Sequence, residues 1–323
     1  MVCPAYHSIK LFRQILNHTI HNQTLGHMKF TAAFFLMLCN FLTFAQGIHS
    51  LEPISGHYKT LQAQSPEPHS QRAWMDTIAF PPDKYGWSLT YSLVQPYYLS
   101  TEQVGTLQNW LVAPANSSAQ TRAELDYLLN LQAKRTPEQS KRVTFLGEIG
   151  YWPHVDLQKK HPGYQRNLQD LFFEGKEIFG EKCKAEHFPK TAQVLKGIMQ
   201  DMRIMEFSVK YQNLRARPYQ LEPKLQALAV MGSPSFASGH TLWAYIQAYF
   251  WSELFPEKRQ QFLNLAEEIR QSREIMGIHY PSDNEASRIL AHKMLELMSY
   301  SAKFQEDFKA AKGEWKEAQM KVK

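Results

Sequence analysis

The sequence predicts an all-α, single-domain helical bundle, and three observations carry that expectation. Apolar residues recur at helical spacing through several long stretches, no segment alternates strictly enough to demand a strand, and no internal repeat or low-complexity block interrupts the pattern. Of the 323 residues, 44% are hydrophobic and 20% charged, ordinary proportions for a globular chain with one large core.

Taken in order, residues 1–27 are polar and precede a second methionine, so they read as a non-structural upstream extension. From Met28 the run "MKFTAAFFLMLCNFLTFAQG" has one lysine, an apolar core from Phe30 to Phe44 and small residues around Ala45 and Gly47. Residues 28–47 therefore predict a secretory signal peptide, too short and too interrupted by Thr31, Asn40 and Thr43 for a comfortable membrane span, with a retained anchor as the alternative. Cleavage there leaves Cys183 alone, so no intrachain disulfide is expected, and export without disulfides suits a periplasmic or secreted protein. No later segment is apolar for long enough to cross a bilayer.

Residues 48–323 then form the domain. The stretch 48–100, with the breakers "SPEPHS" and "FPPDKYG", predicts irregular structure. "SAQTRAELDYLLNLQAKRTPEQ" predicts a helix capped by Ser118 or Thr121, with Leu125, Leu128, Leu129 and Ala133 on one face. From Thr191 to Ala216, Leu195, Ile198, Met202, Met205 and Val209 make a buried stripe beside a polar row of Glu206, Lys210, Asn213 and Arg217. A further helix begins just after "SGH" at 238–240 with Leu242, Tyr245, Ile246, Tyr249 and Phe250. In the next, Phe262, Leu265, Ala266 and Ile269 define the core face, and one turn later that face presents Ser272 and Arg273. A guanidinium lands where a leucine belongs. The charged tail, 304–323, reads as a solvated, fraying helix. The net charge of +6 suits an anionic small molecule, a membrane surface or nucleic acid, but the scattered basic residues leave no nucleic-acid footprint.

A buried cation is costly unless an anion meets it. Lys210 and Arg217, seven residues apart, are expected on one helix face about 10 Å apart, with Pro218 ending the helix. Arg273 comes from another helix, and Ser238 and Gly239 stand at a helix N-terminus, whose free N–H groups favour an anion. Together they make a pocket for a group such as phosphate. His279, freed by the breakers Gly277 and Pro281, is placed to attack phosphorus; Asp283, four residues on, can hold one ring nitrogen, and His240 can protonate the leaving oxygen.

The order Lys210, six residues, Arg217-Pro218, then Ser238-Gly239-His240, then Ser272-Arg273, five residues, His279, three residues, Asp283 resembles the three-part signature of the type 2 phosphatidic acid phosphatase and vanadium haloperoxidase superfamily. Within it the chain is most similar to the soluble bacterial class A nonspecific acid phosphatases, over about residues 80–300, "AELDYLLNLQAKRTPEQ" and "SDNEASRILA" included. The resemblance implies the helical acid phosphatase fold and a secreted phosphoric monoester hydrolase. It gives Lys210, Arg217, Ser238, Gly239 and Arg273 the phosphoryl oxygens, His279 the role of nucleophile, Asp283 that of orienter and His240 that of acid and then base. The cations leave no need for a metal or other cofactor, and small phosphorylated substrates are the expected partners. One departure is Ala237, where the family usually has proline before Ser-Gly-His. Two other readings stand beside this one: a vanadate-dependent haloperoxidase, and a catalytically silent anion-binding helical protein.

Residue by residue, plainer roles compete. Lys210 could pair with Glu206, Arg217 with Glu222, and Arg273 with Glu274 or Glu268. A second "SGH", Ser55-Gly56-His57, has no Lys-to-Arg-Pro pair before it and reads as a loop, while His154, Asp156 and His161 lack metal-ligand spacing.

Overall fold

Short polar side chains set where three of the helices begin. The computed structural model describes residues 51–64 and 70–320. These run through α1 (Gly56–Gln62), α2 (Thr101–Trp110), α3 (Ala119–Lys134), α4 (Pro137–Glu148), α5 (Pro153–Asp156), α6 (Tyr164–Leu171), α7 (Phe173–Phe179), α8 (Pro189–Asn213), α9 (Pro218–Leu221), α10 (Gly239–Leu254), α11 (Arg259–Ile275), α12 (Pro281–Ser299) and α13 (Ala302–Met320). Ser100 with Gln103 and Thr136 with Gln139 form reciprocal capping boxes at α2 and α4. Ser118 Oγ accepts from the Thr121 N–H at 3.1 Å to open α3.

Among the described residues there is no strand, only an isolated antiparallel bridge between Ala79 and Arg215, so the all-α expectation holds. The upstream extension and the signal segment lie outside the described residues. No helix among the described residues is long and apolar enough to cross a membrane.

The core is built on α10, whose residues from Thr241 to Ser252 are all buried, as expected for a helix that is apolar nearly all round. It lies between α11 and α12 and touches α8, which carries α13 along another side. Asp201 of α8 fastens the preceding loop by accepting backbone N–H bonds from Tyr97, Tyr98 and Leu99 at 2.5, 2.8 and 2.8 Å.

Four expectations need correction. The 48–100 stretch is not simply irregular: it holds α1 and 3-10 turns at Ser70–Thr77, Pro82–Lys84 and Trp87–Leu93, and the second Ser-Gly-His is the start of α1 rather than a loop. The tail is not a solvated arm, because Phe304, Phe308 and Ala311 are buried, Glu314 accepts from the N–H groups of Lys190 and Thr191 at 2.9 and 3.0 Å, and Trp315 stacks on Phe188. Its charge lies on the outer face of a docked helix. Finally, α8 stops at Asn213 instead of reaching Ala216, because Leu214 turns left-handed with φ of 48° and its N–H closes onto Lys210 O at 2.9 Å.

Candidate active site

That early stop changes how the cations meet. Lys210 occupies the last turn of α8, but Arg217 lies beyond the helix, in extended backbone that caps the short α9, so the two do not share a helix face. Lys210 Nζ donates to Pro234 O at 2.8 Å and Ser235 O at 3.4 Å. Arg217 donates from Nε to Ser233 O and from one terminal nitrogen to Ile278 O and His279 Nε2, each at 2.9 Å. Arg273, from the end of α11, donates to Ser272 Oγ at 2.9 Å and Val143 O at 3.1 Å.

All three cations are only 1% exposed, and among the described residues none has a carboxylate within ion-pair distance. The acids that the sequence offers them are taken: Glu206 by Arg203, Glu222 by Arg122, Glu268 by Arg142 and Glu274 by Arg270. Burial, then Arg217, pulls Lys210 down to about 7; the same two causes pull Arg273 to about 9, and burial lowers Arg217 too. Positive charge is thus crowded and underpaired, the opposite of what folding alone favours.

His279 stands among them, 2% exposed. Its Nδ1 lies 3.1 Å from Asp283 Oδ2, and the carboxylate can only accept, so Nδ1 carries the proton and Nε2 the lone pair that Arg217 engages. Burial, then Arg217, holds this ring well below its ordinary value, keeping it neutral. His240, half-buried in the first turn of α10, puts Nε2 3.1 Å from Gly147 O. Burial, then Arg273, Arg203 and His279, holds it low as well.

Ser238 and Gly239 are buried at the mouth of α10. Ser238 Oγ donates to Thr241 Oγ1 at 3.0 Å rather than capping the helix, and its N–H reaches Asp283 O at 3.3 Å. The N–H groups of Gly239, His240 and Thr241 lie ahead of the first bond of the helix, Leu242 N to Ser238 O at 2.9 Å, and are oriented to take an anion. The structure therefore gathers Lys210, Arg217, Ser238, Gly239, His240, Arg273, His279 and Asp283 into one place.

Behind them lies a layer that sequence reasoning missed. Arg215 bridges two acids, donating to Asp283 Oδ1 at 2.7 Å and Glu124 Oε2 at 3.3 Å while its guanidinium lies over the Tyr280 ring at 3.9 Å. Glu124 also accepts from the Ser282 N–H at 2.9 Å and hydroxyl at 2.8 Å, fixing the start of α12. Ser235 Oγ donates to Asp283 Oδ2 at 2.6 Å. Burial pushes Asp283 up, but Arg215 and the bonds from His279 and Ser235 outweigh it and keep the carboxyl ionised far below its ordinary value. Glu124, where burial wins over Arg215, is pushed up to about 7. Signals existed for both: an arginine two before Arg217 in extended backbone, and an acid adjoining the Leu125–Leu128 stripe.

Other candidates stay apart. His57 stacks on Tyr127 at 5.1 Å, with Nε2 3.9 Å from Glu274. His154 bonds Tyr91 Oη, Asp156 pairs with Lys196 and His161 accepts from Gly163 N, and no group of metal-ligating side chains exists among the described residues.

Residues 193–305 match the PAP2 superfamily. A non-specific acid phosphatase of Providencia stuartii is 24% identical over 226 residues, 62% of this chain and 89% of that protein. The crystal structure of a bacterial vanadium-dependent iodoperoxidase superposes with a TM-score of 0.50 at 17% identity, over 75% of this chain but only 63% of its own length, and so speaks for a shared all-α fold alone. A transmembrane PAP2-type phosphatidylglycerolphosphate phosphatase from Bacillus subtilis gives a TM-score of 0.36 at 18% identity, over 68% of this chain and 94% of that one.

Proposed function

We propose, from the premise that residues 193–305 form a PAP2 superfamily domain, that this chain hydrolyses small phosphate monoesters through a phosphohistidine intermediate, in the periplasm or outside the cell. The family match and the Providencia relative support phosphatase-like chemistry; the monoester, the intermediate and the location are our inference. One observation carries it: three buried cations from separate segments, without carboxylate partners among the described residues, around the lone pair of a neutral histidine.

On this reading the phosphoryl oxygens take up the charge of Lys210, Arg217 and Arg273 and the N–H groups at the mouth of α10. Arg217 transfers its bond from His279 Nε2 to a phosphoryl oxygen, which frees the lone pair. Nε2 attacks phosphorus, the bond from phosphorus to the ester oxygen breaks, and protonated His240 gives that oxygen its proton. Asp283 holds the Nδ1–H and stabilises the cationic ring. Water then loses a proton to His240 and attacks the phosphohistidine, releasing phosphate. The three cations supply the charge neutralisation that divalent metals supply in other phosphoryl-transfer sites.

Because His240 is held below its ordinary value, its acid form is lost on the acid side of that value as pH rises, so kcat/KM should fall towards neutrality. The test is hydrolysis of an aryl phosphate in EDTA by the wild type and His279→Ala, with acid-sensitive, base-stable phosphoryl-enzyme sought after rapid quenching. Metal-free turnover by the wild type alone, with trapped phosphohistidine, is expected; turnover surviving the substitution overturns the mechanism. Vanadate should inhibit without halide oxidation by peroxide, and halide turnover would favour the peroxidase chemistry named for the iodoperoxidase.

A further inference from the structure

Besides Asp283, a second carboxylate borders this cationic site. Glu206, one turn before Lys210 on α8, is 6% exposed and pairs through Oε2 with Arg203 at 2.7 Å. Arg203 is itself fixed, donating from Nε and a terminal nitrogen to Tyr151 O at 3.1 and 3.0 Å and lying 3.8 Å over the Trp152 ring. Among the described residues the hydrogen bonds of Glu206 end at Arg203, and its other oxygen, Oε1, lies against Gly239: a Cβ on that glycine would sit 1.9 Å from Oε1 and 2.4 Å from Cδ. Glycine is therefore required at 239 by the carboxylate packed on it. From there Glu206 also acts on the site cations, offsetting a small part of the burial that lowers both Lys210 and Arg217.

An acceptor with no donor, beside N–H groups that bind an anion, repels a fully ionised oxyanion and welcomes one that carries a proton. We propose that Glu206 is a specificity-determining residue that reads protonation of the phosphoryl group, accepting a P–O–H hydrogen bond at Oε1 and thereby selecting protonated phosphate over proton-free tetrahedral anions. This rests on the phosphatase reading of the site. It also assigns a role to a residue that the three-part signature does not include.

Sulfate separates the two ideas, because at about pH 5.5 it is a dianion with no proton to donate whereas inorganic phosphate is mainly H2PO4−. Titration calorimetry of each anion with the full chain should show the wild type favouring phosphate about tenfold or more, and Glu206→Gln, which can donate, should narrow that ratio to within about threefold by strengthening sulfate. Should the glutamine variant fail to fold, Glu206→Asp, which withdraws the carboxylate from Gly239, should narrow the ratio as well. An unchanged ratio in the folded variant overturns the inference and leaves the phosphatase reading standing. Failure of the wild type to bind either anion overturns both.

Discussion

Arg270 and Arg273 sit three residues apart on α11, both buried, yet they belong to different regions in the energetic sense. Arg270 grips Glu267 and Glu274, whose charges outweigh the cost of its burial and raise its proton affinity. Arg273 has only a hydroxyl and a carbonyl, and its guanidinium is pulled down to about 9. The same contrast recurs on one short extended segment, where Arg215 is clamped by Glu124 and Asp283, while Arg217, two residues later, has no acid among the described residues. Paired arginines hold this fold together. Unpaired ones do not, and on the proposed reading they wait for an anion.

Exchange of each arginine for methionine breaks the comparison most sharply. Arg273→Met should cut kcat/KM about 100-fold or more, since up to two charge-assisted bonds to the phosphoryl group are lost, while thermal stability stays level or rises because an unpaired buried cation is gone. Arg270→Met should destabilise by about 3–5 kcal/mol in denaturant titration, leaving two acids without their cation. Equal loss of stability in both variants would erase the distinction. Lys210 gives a smaller effect: with a value near 7 it keeps its charge below that pH and loses it above, so the inhibition constant for phosphate should rise as pH passes upward through 7. Lys210→Met should weaken phosphate inhibition about tenfold at pH 6 and flatten that limb. Smallest is the second Ser-Gly-His: His57→Ala should leave kcat/KM within about twofold and stability within about 1 kcal/mol, since His57 meets only its local neighbour Ser55 Oγ, the Tyr127 ring and a distant Glu274 among the described residues. A tenfold loss of activity would bring α1 into the site.

The cations were legible because helical periodicity put Arg273 on an apolar face, and His279 and Asp283 because breakers surround them. What could not be read was the choice of partner. Glu206 is near Lys210 in one direction and Arg203 in the other, and helical spacing permits both pairs. The end of α8 was hidden too, because the polar row continues past Asn213 and a left-handed leucine has no sequence signature. The docking of α13 was readable in principle: Phe304, Phe308, Ala311 and Trp315 follow helical spacing beneath the lysines that masked it. Arg215 and Glu124 stayed invisible for another reason, since their meeting spans 91 residues of sequence.

Glu314 ties the first turn of α8 to the C-terminal helix, and Lys210 lies at the other end of that rod, about 28 Å away at 1.5 Å per residue. The tail is thus the anchor of a lever whose working end carries Lys210 into the candidate site. Trimming the chain ahead of Glu314 would loosen the far end of the helix that aims the lysine, so a segment with no chemistry of its own sets how firmly one wall of the pocket stands.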